Sequence, residues 1–160
     1  MKFRDYTPAF REDCISIFKS NMPDFFAPAE LHDYKEWLAK LAGAQNRESG
    51  ANYYYVVLKN DLPVACGGFY ISADGWKARM TWGMVHRDWH HMGIGRDFLN
   101  FRIRRIRQIN PHCSVALDTT QHSFGFFEKQ GFVVNAITPD FYAPGMHRYE
   151  MELRADNIFL

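Results

Sequence analysis

The sequence predicts an α/β fold, with one mixed, largely antiparallel central sheet of about seven strands and flanking helices. Three observations carry this. Helical periodicity occurs twice before any long strand, three runs of β-branched and aromatic residues then follow one another across short turn signals, and strand and helix patterns alternate from there to the end. The predicted order is β-α-α-β-β-β-α-β-α-β-β.

Residues 2–6 read as a short strand. Thr7 as a cap and Pro8 at the first helical position open a helix whose Phe10, Cys14, Ile17 and Phe18 share a face, and Pro23 stops it. Pro28 starts a second helix, with Leu31, Tyr34, Leu38 and Leu41 on one side and Gly43 as its cap. The intervening "MPDFFAP" reads as a loop that exposes Phe25 and Phe26. "YYYVVLK", the turn Asn60-Asp61 and "LPVACGGFYI" form a hairpin, and after "SADG" comes a third strand, "WKARMTWGMV". A helix follows in which Leu99, Ile103 and Ile106 make an apolar stripe beside Arg102, Arg104, Arg105 and Arg107, an arginine run that reads as a solvated face. "CSVAL" is a strand, "FGFFEKQ" a short helix stopped by Gly131, and "FVVNAI" and "HRYEMEL" are two last strands joined by a loop containing Tyr142.

Composition narrows the function. The chain has 160 residues and is 47% hydrophobic, enough for one sizeable core, so a single domain over 1–160 is expected. Its 19 basic and 18 acidic side chains set up no general field for nucleic acid or an anionic membrane, and neither partner is expected. Charges interrupt "MKFRDYTPAF" before a signal-type apolar segment can form. Cys14, Cys66 and Cys113 are odd in number and widely spaced, which indicates buried thiols in a reducing cytoplasm rather than a disulfide framework.

The densest chemistry lies in "VHRDWHHMGIGRDFL", Val85 to Leu99, where a strand runs through a glycine turn into a helix. Such a junction aims backbone N–H groups and the positive end of the helix at one point, a ready site for an anion. Gly93 and Gly95 lack Cβ atoms and allow close approach. Two nucleotide fingerprints fail here: Phe98 stands at the third glycine of the dinucleotide pattern, and no Gly-Lys-Ser/Thr follows for a P-loop. His86, His90 and His91 crowd the turn beside Asp88. If His90 and His91 face a phosphate, their N–H groups donate to it, which competes with metal ligation, so no metal is expected.

Over nearly its whole length the chain resembles the GNAT superfamily of N-acetyltransferases. "HHMGIG" carries both glycines of that family's Arg/Gln-x-x-Gly-x-Gly/Ala turn, with His90 in first place, and "TTQHSFGFFEKQGF" echoes its second block, ending in Gly131 and Phe132. The resemblance implies acetyl-CoA as cosubstrate in a cleft between the third and fourth long strands. His90, His91, Met92, Gly93, Ile94, Gly95 and Arg96 would meet the pyrophosphate, Met84 and Val85 the pantetheine arm, and Thr120, Ser123 and Phe127 the opposite wall. It implies direct attack of a small-molecule or peptide amine on the thioester, with Phe25, Phe26, Trp82 and Tyr142 bordering the acceptor. Trp82 also suits ordinary burial.

Two departures matter. The family's thiolate-protonating tyrosine falls on Phe127, which has no hydroxyl, and Thr120 replaces its asparagine. The strand from Trp76 to Val85 carries no carboxylate, which leaves His86 and Asp118 as candidate bases and Tyr142 as a candidate hydroxyl. Two other classes stay open: a non-catalytic acyl-CoA-binding module and an interaction domain. The hairpin and the terminal strand offer edges for a homodimer.

Overall fold

A computed structural model describes residues 1–41 and 50–155; the expected cap Gly43 lies outside them. The elements are β1 (Lys2–Asp5), α1 (Arg11–Ser20), α2 (Glu30–Leu41), β2 (Ala51–Lys59), β3 (Leu62–Ile71), β4 (Lys77–Val85), α3 (Ile94–Ile109), β5 (Ser114–Thr119), α4 (Phe124–Lys129), β6 (Val133–Ala143) and β7 (Met146–Leu153). Their order is the predicted one. The strands form one sheet, β1-β2-β3-β4-β5-β7-β6, with every neighbouring pair antiparallel except β4 and β5.

Local chemistry explains most boundaries. Asn60 and Asp61 both take positive φ, 51° and 61°, which twists a two-residue loop to match the flanking strands of the hairpin. Thr7 and Pro8 open a 3-10 turn over Pro8–Phe10, so the α-helix proper starts three residues later than expected, at Arg11. Pro28 likewise sits in the turn ahead of its helix, whose first residue is Glu30. The loop expected around Tyr142 is strand instead. β6 continues through Pro139 across a register shift between Thr138 and Ala143, and Asp140, at φ 54°, turns the backbone there.

Apolar residues pack on both sheet faces. Val64, Phe69, Phe98, Leu99, Ile106, Val115 and Met151 form the cluster under α3 and α4. Cys14, Ile17, Phe18, Tyr34, Leu38 and Val56 form the cluster under α1 and α2. All three cysteines are free and buried.

The arginine run is not uniformly solvated. Arg104 and Arg105 are exposed, but Arg102 is only 6% exposed, with its guanidinium over the Phe98 ring at 4.4 Å and Nη1 donating to Gly68 O at 3.4 Å. Room for it comes from missing side chains. A Cβ on Gly83 would stand 2.7 Å from Nη1, and one on Gly67 would stand 3.0 Å from it. Burial lowers the Arg102 pKa to about 10.

Candidate active-site cleft

The cleft arises from a pairing that stops early. β4 and β5 are in parallel register only at Lys77↔Ser114, Ala78↔Val115 and Arg79↔Ala116, and beyond these the strands separate. Each then runs on alone, toward Val85 and Thr119 respectively, and the wedge between them opens toward the N-terminus of α3.

A bulge shapes the β4 wall. Cys66 pairs with Met84 and Gly68 with Thr81, so Trp82 and Gly83 together face Gly67. Trp82 takes φ 40°, a strained conformation for an aromatic residue. Its carbonyl accepts the Tyr54 hydroxyl at 2.8 Å, and the Tyr34 and Tyr54 hydroxyls are themselves 2.8 Å apart. The Trp82 ring lies 5.1 Å from Tyr34 and 6.3 Å from Phe26. No local sequence signal marks this arrangement, because its partners come from α2, β2 and β4. Tyr54→Phe is expected to cost about 1–3 kcal/mol by removing the donor to a buried carbonyl, read as a lower denaturant midpoint at unchanged slope.

The turn after β4 is built as the glycine spacing implied. Gly93, at φ 80°, caps α3, whose ladder begins with Asp97 N–H to Gly93 O at 3.1 Å. The N–H groups of Ile94, Gly95 and Arg96 precede that first bond, so they point out of the helix end without ladder partners. A Cβ on Gly95 would meet only Phe126 and Val85, at ordinary contact distances of 3.7–4.0 Å. His91 and Met92 are exposed, Ile94 is buried beneath the turn, and the Arg96 guanidinium lies 3.3 Å from Asp97.

His90 turns inward. Its Nε2 is 2.8 Å from Val85 O, which also accepts Asn21 Nδ2 at 2.9 Å. The loop between α1 and α2 is thereby fastened to the strand end, together with Arg87 N–H to Ser20 Oγ at 3.1 Å and an Arg87–Asp24 ion pair at 2.8 Å. Phe25 packs edge-on against both His90 (5.3 Å between centroids) and His122 (6.2 Å), so it spans from the β4–α3 turn to the segment after β5. His86 has a local role, with Nδ1 accepting the Asp88 N–H at 3.2 Å. Among the described residues, no three His, Cys, Asp or Glu side chains converge in a way that could hold a metal.

On the opposite wall, Thr120 is buried. Its carbonyl accepts Ser123 and Phe124 N–H groups and its Oγ1 the His122 N–H, so it shapes the start of α4. The Ser123 hydroxyl makes no cap bond. Phe127 leans on the core beside Phe132, and Phe126, absent from the sequence expectations, is the α4 ring that approaches Gly95.

Farther along the same sheet face the floor becomes polar. Asp118 meets Arg79 at 3.0 Å and Arg148 at 3.5 Å, and Arg148 also meets Glu150 at 3.0 Å. Tyr142, at the end of β6, borders this cluster. Burial, then the nearby Asp118 and Glu30 charges, push its phenol above the usual range and keep it protonated. Of the expected acceptor and catalytic residues, Phe26 and Trp82 meet one another, Asp118 and Tyr142 share the polar floor, and His86 stays with the turn.

The Acetyltransferase (GNAT) family profile matches residues 12–132. No curated protein matches the sequence. Among solved structures, the fold is similar to that of a protein from Desulfovibrio desulfuricans assigned to the GNAT family (TM-score 0.79, 19% identity, 96% of this chain and 98% of that one). It is also similar to an aminoglycoside 6'-N-acetyltransferase complexed with coenzyme A (0.72, 12%, 97% of each). A third likeness is to the ribosomal-protein-S18-alanine N-acetyltransferase of Escherichia coli (0.74, 15%, 96% and 93%). At these identities the likeness is one of fold.

Proposed function

The chain belongs to the Acetyltransferase (GNAT) family, and we propose that it moves an acetyl group from acetyl-CoA to a primary amine of a small molecule or peptide by direct attack on the thioester. The observation that carries this reading is the wedge between β4 and β5 opening onto the unladdered N–H groups at the start of α3.

The residues present fit the cosubstrate. His91 to Arg96 would hold the pyrophosphate on main-chain N–H groups and the helix end, where a positive φ at Gly93 and a bare Gly95 leave the backbone approachable. Met84 and Val85 would border the pantetheine arm. With Val85 O already bonded to Asn21 and His90, that arm pairs with other main-chain groups of the strand end. Thr120, Ser123 and Phe127 would form the far wall. The chemistry supplied by acetyl-CoA is an activated acyl group on a sulfur leaving group. The protein contributes orientation, water exclusion and proton removal.

Tyr142 keeps its proton, since burial and the nearby Asp118 and Glu30 charges raise its phenol above the usual range. We assign it a hydrogen bond to the acceptor. Tyr142→Phe is expected to lower kcat/KM about tenfold, the worth of one such bond, and to leave acetyl-CoA affinity unchanged.

Isothermal titration of acetyl-CoA tests the cosubstrate. Thiol release from acetyl-CoA with an aminoglycoside, spermidine and an alanine-terminated peptide tests transfer. Binding with transfer supports the reading; binding without transfer to any amine supports the acyl-CoA-binding module, to which Phe127 is the pointer; no binding returns the chain to an interaction domain. The three buried thiols suit a reducing cytoplasm. No helix among the described residues is long and apolar enough to cross a membrane. The hairpin β2–β3 and the terminal strand β7 both lie inside the sheet, so the homodimer edge expected there falls instead to β6, where Val133, Ile137 and Phe141 are exposed.

A further inference from the structure

The acceptor side of the cleft holds a carboxylate absent from the sequence expectations. Glu30 opens α2, and its Oε2 accepts the Ala27 N–H at 2.8 Å, which fixes the side chain at the helix end. Among the described residues its other oxygen, Oε1, has no partner. Tyr34 lies one turn later on the same helix face and rests on Trp82 at the β4 bulge. Glu30 therefore stands on the sheet-facing side of α2, one turn from the Tyr34–Trp82 contact, and its charge, like that of Asp118, acts on the Tyr142 phenol.

Charge in this cluster is unbalanced. Arg79 and Arg148 are both engaged, the first with Asp118 and the second with Asp118 and Glu150. That leaves Glu30 as the carboxylate without a cation, and Asp33 on its own helix adds a further negative charge. An arriving ammonium supplies the missing positive charge. Asp118 has two guanidinium groups on its oxygens, and His86 Nδ1 is used by Asp88, so neither matches Glu30 as a free acceptor.

We infer that Glu30 Oε1 receives the acceptor amine and takes its proton. This rests on the acetyl-transfer reading above. The proton passes from the ammonium nitrogen to Glu30, leaving a neutral amine. The nitrogen lone pair then forms the N–C bond at the thioester carbon as the C–S bond breaks. The remaining surplus N–H proton ends on the departing sulfur, and Glu30 returns its own to solvent. Burial supports the role, since it holds the Glu30 carboxyl above the usual range even though the Ala27 N–H opposes it, and Asp33 adds to it; across the cleft Glu30 acts on the Tyr142 phenol, on which Asp118, Arg148 and Arg79 also act.

Glu30→Gln keeps the shape and an oxygen for Ala27, and it is tested by thiol release with spermidine, 2-phenylethylamine and an alanine-terminated tripeptide. In the wild type kcat/KM should be level from above the Glu30 pKa to near the pKa of the amine. In Glu30→Gln it should climb about tenfold per pH unit from about pH 6 to near the pKa of the amine, because only the free amine then reacts. For an amine of pKa about 10 the variant should be down on the order of 10²–10³-fold at pH 7 and should approach wild type near pH 10. Acetyl-CoA affinity should not move.

Stability should move the other way. A raised carboxyl pKa means the folded state prefers the acid form, so that contribution is present below about pH 4.5 and is lost as pH rises through the folded value. At pH 7.5 Glu30→Gln should therefore melt no lower than wild type. An active wild type with a Glu30→Gln variant within threefold and of the same pH slope overturns the assignment, and so does a variant that loses acetyl-CoA affinity and melting temperature together. A wild type that binds acetyl-CoA but releases no thiol with any of the three amines removes the transfer reading itself, and the assignment with it.

Discussion

Alanine at Gly68 is expected to lower the melting temperature by about 6 °C or more. A Cβ there would collide with the Tyr53 carbonyl oxygen and stand 2.8 Å from both the Tyr53 carbonyl carbon and the Tyr54 ring. These are atoms of the neighbouring strand and a packed ring, so β2 and β3 must separate to admit the methyl. Overpacking of this kind costs about 3 kcal/mol or more, and in a domain of this size each kcal/mol is worth about 2–4 °C. The damage reaches the site: Tyr54 holds the Trp82 carbonyl, and Gly68 O accepts the buried Arg102 guanidinium. Gly125→Ala is the control. It sits in α4 with nothing within 4 Å of the added methyl, so it should stabilise slightly. Thermal melts of the two variants beside wild type make the comparison. A Gly68→Ala protein melting within about 2 °C of wild type would show that the β2–β3 contact is far looser than its geometry.

What could be read from the sequence was whatever local chemistry decides. Asn60-Asp61 encodes its hairpin turn in two residues, and Gly93 encodes the start of α3 in one, so the element order and the glycine turn into α3 were visible without a structure. The features that were hidden depend on residues distant in sequence. Arg102 looked like one more solvent-facing arginine because the space that buries it is made by Gly67 and Gly83 on two other strands. The Trp82 bulge is held by a tyrosine pair from α2 and β2, and no motif in β4 announces it. Tyr142 was expected in a loop between the last two strands, but β6 runs on through Pro139 and Asp140 at a sheet edge, where a missing N–H costs no ladder bond. Glu30 looked like any acidic residue in a first helical turn. Its significance lies in a carboxylate with no cation partner among the described residues, whose charge reaches Tyr142, a residue more than a hundred positions away in the chain.

Aspartate at Gly95 is expected to separate binding from stability. The position lies in the first turn of α3, φ there is not in the left-handed region, and a Cβ meets only Phe126 and Val85 at ordinary contact distance. The fold should therefore accept a side chain. An acidic residue at a helix N-terminus gains about 0.3–1 kcal/mol from the macrodipole, and losing a glycine from a helix gains a similar amount, so the melting temperature should rise by a few degrees. Acetyl-CoA should nevertheless bind on the order of 10²–10³-fold more weakly. The new carboxylate uses the same unladdered N–H groups that the pyrophosphate would need, and one unit charge about 4 Å from another costs about 4 kcal/mol at an effective dielectric constant of 20, before salt screening reduces it. Gly95→Ala separates coverage from charge: its methyl blocks close approach but repels nothing, so its affinity should fall between those of wild type and Gly95→Asp. Isothermal titration of the three proteins at two salt concentrations gives the ordering, and the gap between Ala and Asp should narrow at the higher salt. Equal affinities for wild type and Gly95→Asp would move the phosphates away from this turn, since no group placed against those amides could share them with a second carboxylate at no cost.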